Sequence, residues 1–173
     1  MSKIKILFAI ESLAGGGAEK VLLNILNKLD SSKYEITLFV FVPGGVYEKY
    51  LNDNIKVISF YKNPQNLNSI KRLLYKIYRS VTIRLLTKNP SLITKFQKGR
   101  IKEQYDIGVS FCEGLNSAII MENPLQFTKK IGWVHIDFKL HNANISNANI
   151  LYYYKNFDKI AFVSGDSLNA FKE

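Results

Sequence analysis

The chain is 173 residues long, 47% hydrophobic and 22% charged, an ordinary globular composition for one domain burying about two-thirds of its unfolded surface. Its single cysteine, Cys112, excludes an intrachain disulfide and a cysteine-rich metal site, and its two histidines lie far from any cysteine cluster, so no metal is expected. The net charge is +10, and twelve of the 24 Lys and Arg residues fall within positions 54–102, which hold no Asp or Glu.

Residues 3–10 form a short apolar run, rich in Ile with one Phe, that reads as a buried strand. Glu11 ends the run short of a signal peptide's apolar core, and no stretch approaches the ~18 apolar residues that span a bilayer, so a cytoplasmic chain is expected. Three glycines, Gly15, Gly16 and Gly17, then break the strand. Apolar residues at 18, 21, 22, 25, 26 and 29 recur on one face of a following helix. A glycine turn lets backbone approach a ligand, and the helix behind it offers unpaired N–H groups to an anion. The plain alternative is a tight connection that happens to be glycine-rich. The dinucleotide pattern G-x-G-x-x-G fails because its third glycine position is Lys20, and no G-K-[ST] follows for a P-loop.

A second strand is predicted over 34–42, a short helix over 46–51 and a third strand over 55–60. The basic block then predicts one or two helices, interrupted at Asn89-Pro90. Ile70, Leu73, Leu74, Ile77, Val81 and Leu85 share a face there, and Lys71, Arg72, Lys76 and Arg79 sit opposite. Taken alone, the apolar stripe reads as core-facing with a solvated basic back. A run of cations without an anion also suits an anionic membrane surface, which attracts each Lys or Arg by about 1 kcal/mol. Nucleic acid is the competing anion, but no nucleic-acid-binding motif accompanies the block, and none is expected as a partner. Further strands are predicted at 105–111, 129–135 and 157–164, with helical segments between them and another helix starting at 165–167. Strands alternating with helices predict an α/β chain: a Rossmann-like, doubly wound parallel sheet of about six strands with helices on both faces.

In such sheets ligands bind beyond the carboxyl ends of the strands. Those ends carry Gly15, Gly16 and Gly17 after the first strand, and Glu113 and Asn116 after the fourth. His135 and Asp137 follow the fifth, and Ser164 the sixth. Glu113 and Asn116 read as a solvated loop and a helix cap, with acceptor contact as the alternative. Asp137 suits orientation of His135 or a cap on the next helix. Cys112 reads as a small buried hydrophobe.

Gly16-Gly17-Ala18-Glu19 before an amphipathic helix, together with Trp133-Val134-His135-Ile136-Asp137, resembles the amino-terminal domain of GT-B glycosyltransferases of family 4, the group 1 type. The resemblance implies two Rossmann-like domains, of which residues 1–173 would be the amino-terminal, acceptor-side one, without the carboxy-terminal donor domain. It implies retaining transfer of a sugar from a nucleotide sugar, with no metal and no other cofactor, to a glycan or lipid-linked acceptor. It makes His135 the catalytic candidate, facing the transferred sugar, and the glycines backbone donors near donor phosphate or acceptor. The family's Glu-x7-Glu motif belongs to the second domain; Glu11 and Glu19 have that spacing but straddle the glycine turn, and are read as coincidence. A domain without its donor half should be inactive alone and peripheral at the inner face of the membrane. The rival reading is a non-catalytic module that binds nucleic acid or a nucleotide through the glycine turn and basic surface.

Overall fold

The computed structural model describes residues 2–64, 67–96, 99–123, 126–135 and 152–172. Six strands form one sheet: β1 Ile4–Ile10, β2 Tyr34–Val40, β3 Lys56–Ser59, β4 Tyr105–Ser110, β5 Phe127–Val134 and β6 Lys159–Phe162. All ladders are parallel and the spatial order is β3-β2-β1-β4-β5-β6. The chain therefore winds outward from β1 to β3, crosses back, and winds the other way from β4 to β6. The direction reverses between β1 and β4, which pair with Phe8 opposite Val109. Outside the carboxyl ends of those two strands the neighbouring connections diverge and open a crevice. The Rossmann-like α/β fold expected from the sequence is the one observed.

β1 is buried on both faces, as a central parallel strand must be. Its side chains divide by the two-residue period of a strand. Ile6, Phe8 and Ile10 pack with Leu22 and Leu26 of α1 (Gly17–Lys28) and with Leu38 and Val40 of β2. Leu7 and Ala9 join the opposite core, with Phe39, Phe41 and residues of the later helices. Those helices are α2 (Ser69–Lys88), α3 (Ile93–Phe96), α4 (Leu115–Met121) and α5 (Gly165–Lys172), and α4 supplies Ala118, Ile119 and Ile120. Local boundaries differ from the pattern. The expected helix at 46–51 is a single 3-10 turn, Glu48–Tyr50, and α4 starts at Leu115 rather than Ala118, which brings Asn116 into its first turn.

The largest departure is α2. Its apolar face was expected to pack on the core, yet Ile70 is 73% exposed, Leu73 59%, Leu74 60%, Ile77 53%, Val81 53% and Leu85 45%. The helix instead rests on its other side, where Thr82 and Leu86 are buried and Tyr75 and Ile83 pack against the core. That inner side is held by Tyr61, whose ring meets those of Tyr75 at 6.3 Å and Tyr78 at 6.1 Å, edge to face. Thr82 tolerates burial because its hydroxyl donates to the Tyr78 carbonyl at 2.7 Å. Since the stripe points outward, the four cations opposite it do not head the exposed face. Arg79 is half-buried, near enough to Tyr61 and Tyr75 for its charge to favour their ionised forms. Lys71, Arg72 and Lys76 are exposed elsewhere around the helix.

Candidate functional site

The crevice between β1 and β4 holds a cavity of about 370 Å³. Glu11 and Ser12 follow β1, Gly16, Gly17 and Glu19 open α1, and Cys112, Glu113 and Asn116 follow β4; all line it. A second cavity of about 180 Å³ shares Glu11, Glu113 and Asn116 and continues to Ile83 and Thr87 on the inner side of α2.

The glycine turn is built around Glu19. Gly15 has φ of +127°, where a side chain would be strained, and its amide donates to the Glu19 carboxylate at 2.5 Å. The Gly16 amide donates to the same oxygen at 2.8 Å, and the Ser12 hydroxyl donates to the other at 2.8 Å. Gly16 is the N-cap of α1 and Glu19 its third residue, so this is the carboxylate half of a capping box. The amides of Gly15 and Gly16, two of the glycines read as ligand-binding, thus donate to an anion from the chain itself. Gly17, the first residue of α1, stands beside open space on the cavity wall.

The local field is negative. Burial pushes the Cys112 thiol up to about 12, and the charges of Glu113, Glu19 and Glu11 add to the shift. The thiol therefore stays protonated at neutral pH and is no nucleophile. An incoming phosphate would meet three carboxylates in the same cavity, and Coulomb repulsion opposes it.

After β4 the chain turns through Gly114, at φ +78°, into α4. The turn is pinned from beneath: the buried Ser110 hydroxyl donates to the Cys112 carbonyl at 2.7 Å and lies 3.0 Å from that of Ser117. The Glu113 carboxylate accepts the backbone N–H of His135 at 2.6 Å, which ties the end of β5 to the cavity wall. The His135 ring lies 5.1 Å from that of Phe111 and stacks on Trp133 at 6.1 Å, with 21° between the planes. Burial holds its pKa below the usual 6.5, although the Glu113 charge and the Phe111 carbonyl favour the proton. His135 Nε2 is buried and finds no hydrogen-bond partner among the described residues. Asn116, 4% exposed, donates through Nδ2 to the Glu113 carbonyl at 3.1 Å, whereas its Oδ1 is also buried without a partner. A neutral imidazole nitrogen and an amide oxygen are hydrogen-bond acceptors. Unpaired in low-dielectric surroundings, such atoms favour a ligand that donates O–H or N–H; Asn116 lines both cavities, whereas His135 lies behind Glu113 and lines neither.

Of the candidates read from sequence, Gly16, Gly17, Glu113 and Asn116 share one cavity. His135 joins them through Glu113, and Gly15 through Glu19. Asp137 lies outside the described residues. Lys71, Arg72, Lys76 and Arg79 belong to α2 and do not line the cavity. Sequence reasoning missed Glu11 and Glu19 as wall residues. A glutamate three places after the N-cap glycine was the available signal for Glu19. Among the described residues, no cluster of His, Cys, Asp or Glu could hold a metal ion, and no helix is long and apolar enough to cross a membrane.

No family model matches the chain, and no curated protein matches it. Among solved structures it is similar to that of Phytolacca americana UGT2 complexed with UDP-2fluoro-glucose and pterostilbene, at 12% identity and a TM-score of 0.38. The alignment covers 83% of this chain and 34% of that one, so this chain spans about a third of that protein's length.

Proposed function

We propose that this domain is the acceptor-binding half of a retaining glycosyltransferase, and that it receives the hydroxyl to be glycosylated in the β1–β4 crevice. The observation that carries the reading is the pair of unpartnered buried acceptors, Asn116 Oδ1 and His135 Nε2, both tied to Glu113. An acceptor sugar carries several hydroxyl donors, which match such acceptors. His135, kept neutral by burial, accepts a hydroxyl proton at Nε2 and orients the attacking oxygen; Asn116 fixes a second hydroxyl. Glu113 holds the backbone that aims His135. Acceptor contact is favoured over donor phosphate at Gly15, Gly16 and Gly17, because Glu19 occupies two of the three amides and the cavity is lined by carboxylates. The same geometry weighs against a nucleotide held by the glycine turn.

The donor, a nucleotide sugar, would be held by a second domain whose closure brings its phosphates over the crevice. Fixed hydrogen-bond donors there would stabilise the departing phosphate charge. The acceptor is a glycan precursor carried at the membrane, and the domain works as a peripheral protein at the inner, cytoplasmic face. The isolated 173-residue chain should transfer little or no sugar.

The test is His135→Ala in the two-domain enzyme. Transfer should fall about 100-fold or more through lost positioning of the acceptor, with an unchanged circular dichroism spectrum. Near-normal transfer would reduce His135 to a structural residue. Because the ring's pKa lies below 6.5, transfer should stay level as pH falls to about 6.5 and decline only beneath it, as Nε2 takes a proton. A decline beginning above pH 7 would contradict the role.

A further inference from the structure

We propose that the outward apolar stripe of α2 seats the domain on an anionic lipid bilayer, the helix lying in the membrane plane and its inner side forming a wall of the acceptor crevice. The stripe runs along a 20-residue helix, about 30 Å long, and its six aliphatic residues are each 45–73% exposed. A soluble surface rarely leaves so much contiguous apolar area uncovered.

Charge identifies the occupant. α2 carries six cations and no acid. Arg84 follows Val81 by three residues, and Lys88 stands eighteen residues, a whole number of turns, beyond Ile70. Both therefore border the stripe at its carboxyl end. Their long stems lie along apolar surface while the charged ends reach an anionic headgroup layer. Two copies packed stripe to stripe would instead bury Arg84 and Lys88 with no acid on α2 to pair them, which disfavours a homodimer. An apolar face, a cationic border and low mean hydropathy are the pattern of a helix that lies in the interface rather than crossing it. Lys56 is outside this seat, since it pairs with Glu103.

The placement has a consequence for access. Ile83 and Thr87, on the inner side of the same helix, line the cavity that Glu113 and Asn116 also line. A lipid-borne acceptor can thus reach the crevice from the headgroup layer without leaving the membrane. This last step rests on the acceptor reading; the seat itself does not.

The experiment uses the full chain and vesicles of phosphatidylcholine with and without phosphatidylglycerol. Leu74→Trp in a Trp133→Phe background puts the only indole on the stripe. Its emission should shift to the blue on phosphatidylglycerol vesicles and be quenched by brominated acyl chains. Leu73→Ser with Ile77→Ser should weaken vesicle binding about tenfold or more without changing the far-ultraviolet circular dichroism. An indole that stays in water on bound vesicles, or unchanged binding by the double variant, would overturn the seat. So would a dimer in solution that the double variant disperses. Vesicle binding is read without sugar transfer, so loss of the acceptor reading would leave it standing, and the reverse.

Discussion

Helices α1 and α2 carry similar apolar stripes and meet opposite fates. α1 buries Leu22, Leu23 and Leu26 against the sheet, while α2 turns its aliphatic residues to solvent and rests on Tyr75, Thr82 and Leu86. The difference lies in what each helix is offered. α1 returns directly from β1 to β2 and lies over the centre of the sheet, where Ile6, Phe8, Ile10, Leu38 and Val40 present an aliphatic face. α2 follows the edge strand β3 and meets Tyr61 and neighbouring aromatic rings, on which Tyr75 and Tyr78 pack edge to face while Ile83 and Leu86 reach the core and the aliphatic stripe does not. Helical spacing fixes that an apolar face exists; the partner surface decides whether the protein's own core covers it.

The contrast is sharpest in stability. Leu22→Ala should destabilise the domain by roughly 2–5 kcal/mol, because the side chain is fully buried and leaves a cavity. A loss below 1 kcal/mol in denaturant unfolding would mean that α1 is as loosely held as α2. Glu19→Ala removes the acceptor of two amides and a hydroxyl at the start of α1, and should cost about 1–2 kcal/mol. The same change should lower the Cys112 pKa, since the Glu19 charge helps to raise it, so alkylation of Cys112 should quicken at fixed pH. An unchanged alkylation rate would break the description of the crevice as negative. Leu74→Ser in α2 should alter stability by no more than about 0.5 kcal/mol without lipid, and a large loss would show that the stripe packs inside the domain after all.

Much of the fold was legible because buried parallel strands announce themselves. The run at 3–10 and the glycines that end it fixed β1 and the start of α1 to within a residue. The strand order was not written in any one segment, since it depends on which edges pair after the chain crosses back from β3 to β4. The crevice was legible as a rim of residues but not as an acidic cavity: Glu11 and Glu19 were recognisable only by a spacing that suggested another motif. Asn116 looked like a loop residue until α4 began three residues earlier than its apolar pattern implied. Pattern alone also could not orient α2, because its more apolar side is the exposed one, while Tyr75, Thr82, Ile83 and Leu86 face inward.

His135 adds a pH sensitivity of known sign. Its folded pKa is depressed by burial, so below about 6.5 the unfolded chain takes up a proton that the folded domain resists, and the stability contributed by this site is lost as pH falls.

The indole of Trp133, the chain's only tryptophan, stacks on the His135 ring. A charged imidazolium withdraws an excited indole's electron and dims it, whereas the neutral ring does so weakly. The domain therefore carries an intrinsic optical gauge of its candidate site, in which the brightness of one native fluorophore tracks the protonation of His135 without any attached dye.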